Sequence, residues 1–524
     1  MTPLETIVGF IILSCLGCFG YLGLRTLWRS PQGWILCVAL TAVFLFFVTQ
    51  CVSGPYWTGD EIINFSSVIA GLFSKDFDLI SYPHPALSFN VLIFIYSSML
   101  SLISHISSRP FISTGAQMLI AHHGDLLVIA RIISLAFWCA TCGLVAHIVQ
   151  KLTKDTFTGL VALLVLATSH EFYGTQFSPY AMGVFFANLL LFITVTRKAF
   201  SKPWLFAGLL SGLAISTHYL SVLFVGWSFF VFLRDKTFGG FRKLGLFCLL
   251  VGLVFLVSNF QLAFHYDKYL AFFSYRIREV FIFDPHATYE PAHRSSPFLF
   301  LTLLKQEGLV SIFAVLGAVC SLVFAVTGRG KEWLHFFLFA VFLLVALSLP
   351  KTRFEQYILF LSPSLVLLCA FFLGIFRKVF PRMGILLGFL VVIMSWSRVP
   401  FFETNLLRFE LSSLSRDNPL DTITHTILSV QDQKNVINIT CDYIAPLTWA
   451  ISEHKVVSGF AGRLASYLNY RLGREVRWGM SKDAQYHLEV AWMPQDVLVQ
   501  VPKGFVLQDF KRDRNLAFIF FKRL

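Results

Sequence analysis

The chain alternates long apolar blocks with short polar turns that are mostly basic. Blocks of about 15 to 25 residues have the length needed to cross a hydrocarbon core of ~30 Å. They predict about twelve membrane-spanning helices, near 6–24, 33–51, 127–149, 157–171, 181–196, 203–217, 219–233, 244–264, 308–327, 333–349, 358–376 and 383–399. A further apolar stretch, Ala86 to Ile106, reads as a helix lying along the membrane surface. Counting it as a span would move the next basic cluster to the opposite side.

The basic residues set the threading. Arg25/Arg29, Lys151/Lys154, Arg197/Lys198/Lys202, Arg234/Lys236/Arg242/Lys243, Arg329/Lys331 and Arg377/Lys378/Arg382 fall in alternate turns, cytoplasmic by the positive-inside rule. The even count puts both termini outside the cytoplasm. The first block is read as a retained span, because Arg25 and Arg29 follow it rather than precede it. Three larger pieces then face away from the cytoplasm: a first outer loop 52–126, a second outer loop 265–307, and the tail after Pro400. The tail mixes charge with short apolar runs. Strands are expected at "NVINITC" (435–441), "KVVSGF", "DVLVQV" and "LAFIFFKR", with a helix at "APLTWAISEH". The expected fold class is therefore an all-α polytopic membrane protein of about twelve helices over 1–400, followed by a small α/β domain over 401–524.

Composition agrees. Of 524 residues 56% are hydrophobic and only 14% charged, whereas soluble chains carry about 25% charged residues. Gly 33 and Pro 19 are ordinary counts, which excludes collagen-like and disordered chains. A net charge of +13 in a soluble protein would point to nucleic acid. Here the charge sits in turns between spans, so no nucleic-acid partner is expected. Eight of the ten cysteines lie inside apolar blocks, and the Cys15/Cys18 and Cys139/Cys142 pairs lack further zinc ligands. Only Cys51 and Cys441 are placed in or near water, so no disulfide framework follows.

Candidate chemistry gathers at the outer ends of the spans. Asp60 and Glu61 begin the first outer loop, flanked by Tyr56 and Trp57 in an interfacial position. Two readings fit Asp60: a helix N-cap before "EIINFSSVIAGLF", or a carboxylate placed for proton transfer. His84 follows in "YPHPAL", held between two prolines in a stiff extended turn. Lys351 and Arg353 stand on the outer side against the positive-inside rule, with Tyr357 one turn on. They fit either snorkelling to headgroups or a clamp on phosphate. His218 and Tyr219 join two short apolar segments, Tyr180 opens the fifth span, and Arg131 lies near the outer end of the third. Arg131 is expected to form a structural ion pair with a loop carboxylate.

In this order, "GDE" at 59–61, "HPAL" at 84–87, "ARIISLAF", "SPYAMGVFFANLLLF", "AGLLSGLAISTHY" and "TRFEQYILFLSPSL" resemble the GT-C superfamily of polytopic glycosyltransferases. The nearest branch is similar to aminoarabinose transferases, protein O-mannosyltransferases and bacterial lipopolysaccharide-core sugar transferases. The chain departs from it with an extra N-terminal span, His84 where lysine is common, and Ala86 where a second proline is usual. The resemblance implies transfer of a sugar, with inversion, from a polyprenyl-phosphate donor to a lipid, glycan or protein acceptor on the non-cytoplasmic face. Asp60 would be the general base and Glu61 its helper. His84, Lys351, Arg353 and Tyr357 would bind the donor phosphate. Tyr56, Trp57, Tyr180, His218 and Tyr219 are candidate substrate contacts. No cofactor is required, and no ligand spacing demands a divalent metal. The implied location is a bacterial inner membrane. The competing readings are a transporter or flippase, a polysaccharide ligase or polymerase, and an assembly protein. "NFS" at Asn64 and "NIT" at Asn438 are expected to face outward.

Overall fold

The computed structural model describes residues 31–53, 64, 67–68, 71–72, 85–108, 111–169, 177–238, 240–281, 308–327, 331–348, 357–397, 437–441, 476–478, 485–492, 501–502, 504–513 and 516–524. The helices are α1 (Pro31–Ser53), α2 (Leu87–Ser107), α3 (Phe111–Thr153), α4 (Thr156–Thr168), α5 (Pro179–Val195), α6 (Pro203–Thr217) and α7 (Ser221–Arg234). They continue with α8 (Phe241–Ser258), α9 (Leu262–Phe281), α10 (Leu309–Val326), α11 (Lys331–Ser348), α12 (Ile358–Val379) and α13 (Pro381–Trp396). Eleven of the twelve expected apolar blocks coincide with these helices; the block at 6–24 lies outside the described residues.

Among the described residues, five segments are long and apolar enough to cross a membrane: Leu87–Ser107, Leu126–Thr153, Phe241–Ser258, Leu309–Val326 and Ile358–Val379. The protein is a multi-pass membrane protein. Leu87–Ser107, expected along the surface, is among the five, so its length and composition also suit a crossing. Two boundaries differ from expectation. Helix α3 starts at Phe111, well before the apolar block it contains, because no proline or glycine pair interrupts the polar run ahead of it. The block expected over 244–264 ends at Ser258, and the second outer loop opens as helix α9, kinked at His265. Tyr266, Leu270 and Phe273 form an exposed apolar stripe on α9, the pattern of a helix lying in a membrane interface.

The structure divides into two compact units. The first comprises Met1–Pro55, Tyr82–Ser88 and Val128–Phe409. Helix α12 is its centre, buried almost continuously from Ile358 to Gly374. Between apolar helices in a membrane, close contact rather than burial from water supplies the attraction. Gly317 of α10 meets the α12 backbone so closely that a Cβ there would lie 2.0 Å from the Leu368 carbonyl oxygen. Pro363 cannot donate within α12, and the neighbouring Ser362 hydroxyl donates to the Ile358 carbonyl at 3.1 Å.

The basic ends of the helices are clamped to one another. Arg377 at the end of α12 pairs with Asp155, which also caps α4 by accepting from Phe157 N–H at 3.2 Å. Arg197 after α5 pairs with Asp235 after α7, and its Nη1 donates to the Thr194 carbonyl at 2.8 Å. Arg234 reaches Asp235 at 3.1 Å and lies 3.4 Å from the His335 ring of α11. These are turns that the charge pattern assigns to one side.

The second unit comprises Tyr56–Ser81, Phe89–Leu127 and Glu410–Leu524. Its sheet holds β1 (Ile437–Cys441), β2 (Val476–Trp478), β3 (Tyr486–Trp492), β4 (Phe505–Asp513) and β5 (Leu516–Arg523) in the order β2-β1-β3-β5-β4. β1 pairs in parallel with β2 and β3, while β5 runs antiparallel to β3 and β4. The sheet is therefore mixed, and a small C-terminal sheet is present as expected. "NVINITC" and "LAFIFFKR" are strands as expected. "KVVSGF" and "APLTWAISEH" lie outside the described residues. "DVLVQV" lies outside the described residues except for Val501, which is not in a strand, and the strand preceding β5 is Phe505–Asp513. Charged Asp509, Lys511, Arg512 and Asp513 break the apolar alternation there. His487, Ile519, Phe520 and Phe521 are buried, with the His487 ring 6.0 Å from Phe521. Asn64, the asparagine of the first sequon, is buried at 2% exposure. Its apolar neighbour Val68, one turn on, is buried as well, so this face of the segment packs inward.

Candidate active site

Helices α6 and α7 are antiparallel neighbours joined by His218, Tyr219 and Leu220. The tight turn leaves polar backbone at the helix ends, and the histidine satisfies part of it. His218 N–H donates to the Ala214 carbonyl at 3.2 Å, and its ring Nδ1 accepts from Leu220 N–H at 3.1 Å. A nitrogen that accepts carries no proton, so the neutral ring holds its proton on Nε2.

The ring is enclosed. His218 is fully buried, 4.5 Å from the Tyr180 ring, 4.5 Å from Tyr219 and 5.1 Å from Phe360. Tyr180 stands in the first turn of α5, where Ser178 caps the helix by accepting from Tyr180 N–H at 3.2 Å and Pro179 occupies the first turn. Gly183, one turn further, makes the approach possible: a Cβ there would lie 3.0 Å from His218 Cβ and 3.4 Å from Phe360. Phe360 belongs to the first turn of α12, and Tyr357, also buried, immediately precedes that helix. Among the described residues, the hydroxyls of Ser216 and Ser221, on either side of the turn, are buried without a hydrogen-bond partner.

Two further anchors tie neighbouring segments to this end of the first unit. Ser178 N–H donates to the Ser134 hydroxyl of α3 at 3.4 Å. One turn earlier on α3, buried Arg131 donates from Nη1 to the Cys51 carbonyl at 3.3 Å. That places a cation at the C-terminal end of α1, where the helix dipole favours it. Cys51, expected in or near water, is fully buried, because the last turn of α1 is covered by this contact. Arg131 therefore has a backbone carbonyl as a described partner where an ion pair was expected.

Of the sequence candidates, Tyr180, His218 and Tyr219 come together in one cluster, and Tyr357 begins the helix that carries Phe360 into it. Tyr56, Trp57, Asp60, Glu61, His84, Lys351 and Arg353 lie outside the described residues. Phe360, Gly183, Ser216 and Ser221 were not singled out. Only the "SPYAMG" and "AISTHYLS" strings, with small residues beside ring-bearing ones, signal them. Among the described residues no group of three or more His, Cys, Asp or Glu is arranged to hold a metal.

No family model and no curated protein matches the chain. Among solved structures, ArnT from Cupriavidus metallidurans bound to undecaprenyl phosphate aligns over 94% of this chain and 98% of its own, at 13% identity and TM-score 0.52. The chain has the fold of ArnT. The Archaeoglobus fulgidus oligosaccharyltransferase in complex with Zn and sulfate aligns over 86% of this chain and 67% of its own, at 10% identity and TM-score 0.44.

Proposed function

We propose that this protein is an integral membrane glycosyltransferase of GT-C type. It moves a sugar from a polyprenyl-phosphate donor to a lipid, glycan or protein acceptor, outside the cytoplasm and in a bacterial inner membrane. The observation that carries the reading is the buried cluster of Tyr180, His218 and Phe360. It lies at the end of α5 opposite Arg197 and the other basic turns. A fold shared with a protein solved bound to undecaprenyl phosphate supports it.

The chemistry follows from the residue types that the sequence offers. The acceptor hydroxyl is a poor nucleophile. Asp60 takes its proton while the acceptor oxygen forms a bond to the anomeric carbon, and Glu61 orients the pair. The bond from that carbon to the phosphate oxygen breaks on the opposite face, so the anomeric centre inverts. The leaving polyprenyl phosphate carries its charge away and needs cationic or hydrogen-bond stabilisation more than a proton. His84, Lys351, Arg353 and Tyr357 supply it. His218 offers Nε2–H as a donor, and Tyr180, Tyr219, Tyr56 and Trp57 give rings and hydroxyls suited to a sugar. No step calls for a metal ion.

The test uses purified protein in lipid nanodiscs. Polyprenyl-phosphate sugars extracted from cells serve as donor and a membrane extract as acceptor, with free polyprenyl phosphate as the readout. Wild type should release it only when acceptor is present, and Asp60→Asn should lower the rate by roughly 10²–10⁴-fold. Equal rates for wild type and Asp60→Asn would overturn the assignment.

A further inference from the structure

Helices α10, α11 and α12 line a slot of about 320 Å³. Apart from Ser311, every side chain on its walls is hydrocarbon. The slot follows from how α10 is seated. Gly317 draws this helix onto the α12 backbone at Leu368. Beside that contact α10 presents Ser311, Ala314 and Ala318, which share one helix face and are too small to fill the gap towards α11.

One long side of the slot is open and one end is closed. Ala314, Leu361 and Leu368 form a buried back wall, whereas Val315 and Val319 of α10 and Val341 of α11 form an exposed rim. The opening therefore lies between α10 and α11, towards the hydrocarbon of the membrane. At the basic ends of the helices, Phe371 of α12 stacks on Trp333 of α11 at 4.2 Å and meets Phe324 of α10 at 5.7 Å. Each ring lies within about one turn of the last lining residue of its helix, so one ring from each wall closes the slot. Along α10 the slot runs from Ser311 to Leu322. That span is about 16 Å at 1.5 Å per residue. It matches one leaflet, half of a ~30 Å core.

These dimensions select an occupant. A lone serine gives water too few partners to stay, and an empty slot would forfeit contacts along all its walls. Inside a bilayer there is no hydrophobic drive to fill it, so close contact decides. A chain in the slot touches three helices, whereas a chain on a convex helix surface touches one. An acyl chain has the length of one leaflet and can end where the rings stand. A polyprenyl tail is several times longer and has no way past them. We propose that the slot seats one acyl chain of a resident phospholipid, drawn from the leaflet remote from the basic turns. The chain completes the packing of α10 and α11 against α12 and takes no part in sugar transfer.

The test uses full-length protein reconstituted with phosphatidylethanolamine that carries a diazirine near the end of its palmitoyl chain. After illumination, labelled peptides are mapped by mass spectrometry. Labelling should concentrate around Leu322 and Phe337, beside the ring floor. Ala318→Phe fills the slot and should abolish that labelling. Leu249→Phe, on an exposed position of α8, should leave it unchanged. Ala318→Leu is a smaller filling and carries the test if Ala318→Phe fails to fold. A second readout is the melting of delipidated wild type with lauroyl, myristoyl and palmitoyl phospholipids. The melting temperature should rise with chain length and level off once the chain reaches the rings. Labelling spread evenly over the exposed faces of α8, α10 and α13 would overturn the proposal, as would labelling that survives both fillings or melting indifferent to chain length. An equal amount of undecaprenyl phosphate should leave the label in place. If it removes the label, the slot belongs to a polyprenyl tail and the resident phospholipid is ruled out.

Discussion

The rings of His218 and Tyr180 lie 4.5 Å apart, one in a helix–helix turn and the other in the first turn of a different helix. Because Nδ1 of His218 accepts from Leu220 N–H, only Nε2 is available to donate. His218→Phe keeps an aromatic ring but removes both the Nε2 donor and the Nδ1 acceptor of Leu220 N–H. A hydrogen bond to a charged or strongly polar ligand is worth about 1.5–3 kcal/mol, so turnover should fall roughly 10–100-fold, and the orphaned Leu220 N–H should lower stability by about 1–3 kcal/mol. Parallel assays of activity and melting on one preparation check this. A variant that keeps full activity would remove His218 from the site.

Gly212 sets the distance between α6 and α8. A methyl group there would meet Val254 Cβ at 2.6 Å and the Val251 carbonyl oxygen at 3.0 Å, and backbone yields less readily than a flexible side chain. Gly212→Ala should therefore destabilise the protein by about 1–3 kcal/mol, the usual cost of overpacking. Gly226→Ala is the control, since none of the described residues lies within 4 Å of the added carbon. Melting curves of the two variants should separate clearly.

Acid should loosen the basic ends of the helices. Burial works against ionisation of Asp155, but hydrogen bonds from Thr158 and Arg377, together with the Arg377 charge, hold its carboxyl below the usual value. Asp235 is lowered in the same way by Arg197 and Arg234, again against burial. A lowered folded pKa means stability that is complete above the unfolded value near 4 and is lost as pH falls through the folded one. Thermal stability should decline below about pH 4, and Asp155→Asn should show a shallower decline from a lower starting point. A decline of unchanged slope in Asp155→Asn would exclude Asp155 as a source.

The tail should respond at milder pH. Burial pushes the His487 pKa down, so the folded sheet prefers the neutral ring. The unfolded chain then binds a proton first, and stability is lost as pH falls below about 6.5 towards the lower folded value. Exchange protection of β3 and β5 amides, corrected for intrinsic rates, should drop between pH 7 and pH 5. In His487→Phe it should stay level.

Much of this architecture is written locally. The apolar blocks at 203–217 and 358–376 became α6 and α12 almost residue for residue, because a membrane helix is an uninterrupted apolar run ended by charge. The ring cluster was half legible: "STHY" and "SPY" draw attention, but Phe360 is one of 58 phenylalanines and nothing local marks it. The contact in which Asn259 Oδ1 accepts from the Ala86 backbone N–H was invisible. Asn259 reads as an ordinary polar residue ending a helix, and its partner is a backbone N–H far away in sequence. Strand β4 was missed for a different reason. Its pairing with β5 is a backbone property, and Asp509, Lys511 and Arg512 hide the alternation.

Mass spectrometry of lipids from three strains tests the central claim most directly: wild type, a deletion, and the deletion complemented with Asp60→Asn at matched membrane levels. A polyprenyl-phosphate sugar should accumulate in the last two and not in the first, and its mass would name the sugar. An acceptor lighter by one sugar should accompany it. If Asp60→Asn restores the wild-type lipid profile, Asp60 is not the base and the proposed chemistry is contradicted.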